Sequence, residues 1–162
     1  MIIGGLANSI YGIPRQTFDI DIKFSLSENE INDFIRILVE EVSIIPENPL
    51  SFLKETGVIP VEISGVRVDL IMINLPYEQE ALRRSKRQTV YGVDAYVTSV
   101  EDLIIQKAIS PRNRDWMDIE GIVENNGSTL DWSYILFHVK QLSEFLVDPS
   151  IYSKMEHLKS AN

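Results

Sequence analysis

The sequence GGLANSIYGIPRQTFDIDIKF, residues 4–24, decides the fold. From Phe18 to Phe24 apolar and polar side chains alternate, and this period of two predicts a β-strand with one apolar and one polar face. Asp19 and Asp21 share the polar face, about 6.5–7 Å apart along the strand. Two carboxylates at that spacing can converge on one divalent cation, and they repel each other without one. The strand is therefore a candidate metal site.

A Gly-Gly pair precedes this strand and indicates a place for an anion. Gly4 and Gly5 have no Cβ, so the backbone can come close to a ligand. Residues Leu6–Tyr11 then fit a short helix whose free N–H groups face the anion. A phosphate cradle beside a carboxylate pair indicates nucleotide chemistry. Residues Met1–Ile3 look like the end of a strand, and we expect either that this strand is very short or that the natural start lies upstream.

The composition is that of an ordinary globular protein. With 162 residues, of which 44% are hydrophobic and 24% charged, the chain can bury a core within one domain. We expect an α/β catalytic part up to about residue 100 and a helical part over about 101–162. No apolar run approaches the ~18 residues of a membrane span, and no signal peptide is recognisable. We therefore expect a cytoplasmic protein without a membrane partner.

Charge and the rarer residue types exclude several kinds of site. The absence of cysteine excludes disulfides and thiolate metal sites, and two histidines near the C-terminal end disfavour a histidine-rich metal site or a serine–histidine triad. A net charge of −9 argues against a broadly basic surface that coats nucleic acid. The local exception is a basic cluster of Arg83, Arg84, Lys86 and Arg87. It is either a solvated helix face or a contact with RNA or nucleotide phosphates.

The middle of the chain predicts two helices followed by a hairpin. Ser27 and Glu30 form a capping box for an amphipathic helix to about residue 44, and a short helix over Leu50–Glu55 ends at Gly57. Strands over Val58–Ile63 and Val66–Met72 are joined by a tight turn.

Asp69 is the unusual residue of the second hairpin strand. An aspartate in mid-strand is disfavoured by propensity and costly to bury unpaired. We interpret it as a third carboxylate that can lie beside Asp19 and Asp21 on an adjacent strand. The alternative is a structural ion pair with Arg67 or Arg15.

The remaining elements are mostly helical. We predict a helix over Tyr77–Arg87, a strand or hairpin over Thr89–Val97, a helix from the capping box Thr98/Glu101 to about Ile109, a helix over Arg112–Val123, and two more over about 131–147 and 150–159. Lys107 points from the apolar face of its helix. Asp115 and Asp118 fit charges near a helix start, or partners of Arg112 and Arg114, better than metal ligands.

The combined pattern resembles a known family. A Gly-Gly pair, thirteen residues and Asp-x-Asp, followed by a later strand with one aspartate, resembles the polymerase-β-like nucleotidyltransferase superfamily. The blocks GGLANSIYGIPRQTFDIDI, VRVDLI and EDLIIQKAISPRNRDWMDI look like small bacterial nucleotidyltransferases of the AbiEii toxin type. The resemblance covers roughly residues 2–124 and implies an α+β fold, with a small mixed twisted sheet flanked by helices and a helical C-terminal region.

The resemblance also implies roles for particular residues. Asp19, Asp21 and Asp69 would hold Mg²⁺ or Mn²⁺, and Asp69 would also activate an acceptor hydroxyl. Contacts with the phosphates of ATP or another NTP would come from Gly4, Gly5, Arg15, Thr17 and Lys107. Lys107 would in addition neutralise phosphate charge during the reaction.

Three functions follow from the resemblance. The first is a metal-dependent nucleotidyltransferase that modifies RNA such as a tRNA end, as the toxin of a toxin–antitoxin pair with a cognate antitoxin protein. The second is the same transfer to a small molecule or a protein hydroxyl, which the acidic net charge favours. The third is a module that binds nucleotides or proteins without turnover.

Overall fold

The computed structural model describes residues 1–161. Within them eight α-helices cover Gly4–Tyr11 (α1), Ile31–Glu41 (α2), Pro49–Thr56 (α3), Pro76–Arg84 (α4), Val100–Ala108 (α5), Asn113–Asn126 (α6), Trp132–Phe145 (α7) and Pro149–Ser160 (α8). Six strands cover Asp19–Phe24 (β1), Ser43–Ile44 (β2), Val58–Ile63 (β3), Val66–Met72 (β4), Lys86–Val90 (β5) and Val93–Val97 (β6). None of the helices in this described part combines the length and apolar character that crossing a bilayer requires.

Four strands form a mixed sheet in the order β1-β4-β3-β2. Strand β1 runs parallel to β4, whereas β3 is antiparallel to both β4 and β2. The alternation read from the sequence gives this sheet one apolar face, where Ile59, Val61 and Val68 are buried against Ile31 of α2 and Leu53 of α3. The opposite face of β1 and β4 carries the aspartates.

The N-terminal segment connects this sheet to the β5–β6 hairpin. Ile2 forms an antiparallel bridge to Ile22 of β1 and a parallel bridge to Val97 of β6. Its N–H donates to the carbonyl of Tyr96 at 2.7 Å, and the N–H of Ile3 donates to the carbonyl of Asp21 at 3.0 Å. The strand predicted at Met1–Ile3 is therefore a single pair of bridges, and it lies between β1 and β6.

The chain divides into two compact units. The first consists of Met1–Leu6 and Gln16–Val97, and the second of Ala7–Arg15 and the residues from Thr98 onward. In the second unit α5 packs against α6 and α7, and α7 packs against α8. Its core contains Ile104, Ile119 and Ile135, all fully buried. The mixed sheet, its flanking helices and this helical region confirm the predicted α+β fold class.

Three local predictions were wrong in detail. Helix α2 begins at Ile31, with Glu30 rather than Ser27 as its N-cap, and it ends at Glu41. Helix α4 ends at Arg84, and Lys86–Val90 form strand β5 instead of a last helical turn. Helix α5 begins one residue later than predicted because Ser99, not Thr98, is its N-cap: the N–H of Asp102 donates to Ser99 Oγ at 3.1 Å.

Candidate active site

The register of two parallel strands places the three predicted aspartates together. Asp21 of β1 pairs with Asp69 of β4, and Asp19 pairs with Arg67. Paired residues on neighbouring strands point to the same face, and the strands are about 4.7–4.9 Å apart. Asp69 therefore lies on the face of Asp19 and Asp21, as the sequence predicted. All three side chains are half-buried.

Arg67 is the cation of this carboxylate cluster. Its Nε donates to Asp69 Oδ1 at 2.9 Å and its Nη2 to Asp69 Oδ2 at 3.3 Å. Chiefly through this hydrogen bond, and also through the charges of Asp69, Asp19 and Asp21, the pKa of Arg67 is raised. The Arg67 side chain is 56% exposed and that of Asp69 only 16%. The ion pair between Arg67 and Asp69, which the sequence left open as an alternative, is thus present, and it lies beside Asp19 and Asp21.

Thr17 fixes the side chain of Asp19. The Thr17 hydroxyl lies 2.8 Å from Asp19 Oδ1 and donates to it, and it is also 3.2 Å from the Asp19 carbonyl. The sequence placed Thr17 among the nucleotide-binding residues. In the structure its contact is with the first aspartate, so it positions a carboxylate of the candidate site.

The diglycine lies directly against Asp21. Helix α1 begins at Gly4, whose φ is +62°. A Cβ atom at Gly4 would lie 1.8 Å from Asp21 Oδ2, so any side chain at position 4 would require the Asp21 carboxylate to move. Gly5 follows, buried, in the first helical turn, where the backbone N–H groups have no partner within the helix. The predicted phosphate-binding turn at Gly4 therefore lies next to Asp21, a predicted metal ligand.

The donor set suits magnesium, although it is not a closed cage. Among residues 1–161 no three or more His, Cys, Asp or Glu side chains are arranged to hold a metal ion. Mg²⁺, however, is usually bound through one or two carboxylates, waters and substrate phosphates. Asp19 and Asp21 supply two carboxylates on one strand face, next to the glycines. Asp69 would join them only after its release from Arg67.

Lys107 and Arg15, both predicted to bind phosphate, belong to an ion cluster in the second unit. Lys107 Nζ donates to Asp115 Oδ1 at 2.9 Å and to Asp118 Oδ2 at 2.6 Å. Arg15 Nε donates to Asp118 Oδ1 at 3.0 Å, and Arg112 Nε to Asp115 Oδ2 at 2.7 Å. The Lys107 side chain is 5% exposed. The structure thus brings these two cations to carboxylates on α6.

This ion cluster lowers the pKa of both its aspartates. Burial by itself raises the pKa of Asp115 and of Asp118. Hydrogen bonds from Ser110 and Lys107 to Asp115, and from Arg15 and Lys107 to Asp118, more than offset that effect. The sequence predicted Arg112 and Arg114 as partners of the two aspartates, and this is confirmed for Arg112 with Asp115, whereas Asp118 pairs with Arg15 and Lys107. It missed Lys107 as their shared partner, for which the only signal was a lysine on an apolar helix face.

The second unit also contains a cavity. It has a volume of about 650 Å³ and is lined by Asn113, Trp116, Glu120, Ser153, Lys154, His157, Leu158 and Ala161. Lys154 Nζ lies 5.2 Å from the centre of the Trp116 ring. None of the residues predicted from the sequence to act on a nucleotide lines this cavity, so the cluster on β1 and β4 stays the candidate active site.

One family of known proteins matches most of the chain. The family described as "Nucleotidyltransferase of unknown function (DUF6036)" matches residues 1–146. Among solved structures the chain is similar to an antigenic nucleotidyltransferase-like protein from Paracoccidioides brasiliensis. The TM-score is 0.49, the sequence identity 14%, and the similarity covers 96% of this chain and 83% of that chain. No curated protein sequence matches the chain.

Proposed function

The chain belongs to the family of nucleotidyltransferases of unknown function that matches residues 1–146, and from this premise we propose that it transfers a nucleoside monophosphate from an NTP to an acceptor hydroxyl. The acceptor oxygen forms a bond to the α-phosphorus, the bond from that phosphorus to the oxygen of the β-phosphate breaks, and pyrophosphate leaves. The observation that carries the proposal is the register that puts Asp21 beside Asp69, with Gly4 against Asp21.

The nucleotide is held by β1 and the start of α1. Asp19 and Asp21 would hold Mg²⁺ or Mn²⁺, and the ion would supply positive charge to the triphosphate and to the leaving pyrophosphate. The backbone N–H groups at Gly4 and Gly5 donate to phosphate oxygens, which come close because neither residue has a side chain. Thr17 keeps the Asp19 carboxylate oriented through its hydrogen bond.

Asp69 is the proton acceptor in this proposal. A carboxylate beside the reacting phosphate can take the proton of the acceptor hydroxyl as its oxygen attacks. In the structure Arg67 covers this carboxylate with two hydrogen bonds. The guanidinium is planar and can exchange a carboxylate for a phosphate with similar geometry. Movement of the exposed Arg67 side chain onto the triphosphate therefore frees Asp69.

A phosphate role for Lys107 and Arg15 stays a prediction. Both cations donate to carboxylates of α6 in the structure. Binding of phosphate by Lys107 requires that it leave two buried anions, Asp115 and Asp118, which is costly. We therefore propose that the glycine N–H groups and Arg67 bind the triphosphate. Lys107 instead stabilises the second unit.

Membership of this family does not identify the acceptor of the nucleotide. Our first proposal is RNA, such as a tRNA end, with the protein acting as a toxin that a cognate antitoxin neutralises. A small molecule or a protein hydroxyl is the second, favoured by the net charge of −9, which disfavours binding of polyanions.

Transfer of a labelled nucleotide tests the proposal. The protein is incubated with Mg²⁺, α-labelled NTPs and total cell extract, and both labelled products and pyrophosphate are measured. We expect labelling that Asp19→Asn abolishes and that Asp33→Asn, an equally conservative change at an exposed carboxylate, leaves intact. Full labelling by Asp19→Asn would contradict the assignment. NTP binding with no pyrophosphate release from any acceptor would instead favour the module without turnover.

A further inference from the structure

The β5–β6 hairpin carries exposed residues on the same sheet face as the aspartates. Ile2 bridges both Ile22 and Val97, so these three side chains share one face. Asp21 precedes Ile22 on β1, and Tyr96 precedes Val97 on β6. Because successive side chains of a strand alternate, both Asp21 and Tyr96 point to the opposite face. One segment, Met1–Ile3, separates the two strands. Two strand spacings amount to roughly 10 Å between β6 and β1.

An exposed aromatic ring and an exposed cation lie side by side on this face. Tyr96 pairs across the hairpin with Arg87. Tyr96 is 61% exposed and the Arg87 side chain 70% exposed. Arg87 Nη2 donates to Asp94 Oδ2 at 2.9 Å, but an ion pair between such exposed groups is worth only about 0–1 kcal/mol in general. Arg87 can therefore exchange this carboxylate for a phosphate.

The hairpin is positive although the protein is acidic. Residues 83–97 contain four cations and the single carboxylate of Asp94, which gives a local charge of +3. Since the whole chain has a charge of −9, the other residues together carry −12. The end of α4 and the hairpin thus form a basic region in an acidic chain. Such a region attracts a polyanion.

We propose that Tyr96 and Arg87 bind an unpaired nucleic-acid strand that serves as the acceptor. Unpaired bases stack on exposed aromatic rings, and neighbouring arginines hold the phosphates. The separation from Tyr96 is roughly 10 Å to the aspartates on β1 and, one strand spacing further, roughly 14 Å to Asp69 on β4. A strand of a few nucleotides spans this distance, so its end can reach Asp69. This inference rests on the proposed transferase function, whose acceptor it specifies.

Binding of labelled oligonucleotides to the full chain tests the inference. Fluorescence anisotropy at low ionic strength compares a single-stranded RNA, a single-stranded DNA and the RNA duplex of the same sequence. We expect the single strands to bind more tightly than the duplex. Tyr96→Ala should weaken single-strand binding roughly fivefold to a hundredfold, and Tyr96→Phe should retain it because the ring remains.

The charge contribution has a matched control. Arg87→Gln should weaken binding and lower the slope of affinity against salt by about one. Arg36→Gln removes the same charge from an ion pair with Asp33 that is also about 70% exposed, and it should leave binding unchanged. Equal affinity of wild-type protein, Tyr96→Ala and Arg87→Gln would overturn the inference.

Separate measurements distinguish this failure from failure of the proposed function. Mg²⁺–NTP binding is recorded by calorimetry with the same wild-type protein, and transfer is recorded with α-labelled NTP. A protein that transfers nucleotide to a small molecule or a protein, and shows no ring-dependent oligonucleotide binding, overturns the acceptor surface alone. A protein that binds the single strand through Tyr96 and does not bind NTP overturns the transferase and leaves the strand-binding surface.

Discussion

Gly4 and Asp21 approach each other so closely that a Cβ atom at position 4 would displace the Asp21 carboxylate. A Cβ at Gly4 would lie 1.8 Å from Asp21 Oδ2 and 2.7 Å from its Cγ, and the φ of +62° also favours glycine. This contact joins the start of α1 to the strand that carries the carboxylates. Thirteen residues separate Gly5 from Asp19 in the sequence. They form the rest of α1 and bring the chain back to β1, beside the start of that helix.

Replacement of Gly4 should show whether this residue is needed for nucleotide binding, apart from the backbone strain that any side chain at a positive φ causes. Gly4→Ala forces Asp21 away, so we expect loss of Mg²⁺–NTP binding by calorimetry. Gly65→Ala is the matched control, since Gly65 has a φ of +79° and nothing within 4 Å of the added Cβ. It should have a similar backbone cost, of order 1 kcal/mol in unfolding free energy, and normal NTP binding. Equal NTP affinity in the two variants would refute the close approach of Gly4 to the nucleotide.

Arg67 should act as the internal counterion of the aspartate cluster. Arg67→Met removes the cation that pairs with Asp69 and leaves the three carboxylates less well neutralised, so we expect a lower melting temperature at low ionic strength. Added Mg²⁺ should raise the melting temperature of Arg67→Met more than that of the wild-type protein, because the ion replaces the lost charge. Arg36→Met, which breaks an exposed pair with Asp33, is the control. A Mg²⁺ response of Arg67→Met no larger than that of the control would show that Arg67 does not fill this role.

Thr17 should influence nucleotide binding only through Asp19. Thr17→Val keeps the shape and removes the hydroxyl that donates to Asp19 Oδ1. We expect Mg²⁺–NTP binding to weaken several-fold, with an unfolding free energy lower by about 1 kcal/mol. Thr89→Val removes an equivalent 2.7 Å bond to Asp94 on the hairpin and should leave NTP binding unchanged. The role of Thr17 is disproved if both valine variants bind NTP like the wild-type protein.

Lys107 should be needed for stability. Lys107→Met leaves Asp115 and Asp118 buried with one cation fewer, a change that typically costs about 3–5 kcal/mol in unfolding free energy. For a chain of this length the melting temperature should fall by roughly 6–20 °C. Circular dichroism measures this fall. A variant with unchanged stability and abolished transfer would favour the phosphate role predicted from the sequence.

The same ion cluster predicts a pH dependence. The pKa values of Asp115 and Asp118 are lowered in the folded protein. The stabilisation is therefore fully present above the unfolded pKa of about 4 and is lost as the pH falls through the folded values. Since Lys107→Met removes much of the cause of this lowering, the stability difference from the wild-type protein should narrow below about pH 4. A difference that stays constant from neutral pH to pH 3 would contradict the ion-pair explanation.

Local patterns explain which elements could be predicted. The bounds of β4 follow from alternation, and those of β3 from a short, mostly apolar run that ends at the Ser64-Gly65 turn, in which both residues have positive φ. The end of α4 could not be read, because Lys86 and Arg87 are good helix formers. Their pairing with Val97 and Tyr96 of β6 is a tertiary effect that overrides propensity. Strand β2 has only two residues, too few for any period to appear.

The positions of the aspartates on the strands could be predicted from the sequence, whereas the partners of the cations could not. Asp21 and Asp69 each stand on the polar side of an alternating strand, so the sequence needed only the adjacency of β1 and β4. The partners of Lys107 lie eight and eleven residues later on another helix, which no period connects. Arg67 was visible as a neighbour of Asp69, but its position beside Asp19 depends on the parallel register.

A crystal structure with Mg²⁺ and a non-hydrolysable NTP would show directly whether β1 and β4 form the nucleotide site. We expect a metal ion on Asp19 and Asp21, phosphate oxygens at the N–H groups of Gly4 and Gly5, and Arg67 moved from Asp69 onto the triphosphate. A nucleotide bound away from β1 and β4, with Arg67 still paired to Asp69 and no metal on the two aspartates, would contradict this expectation.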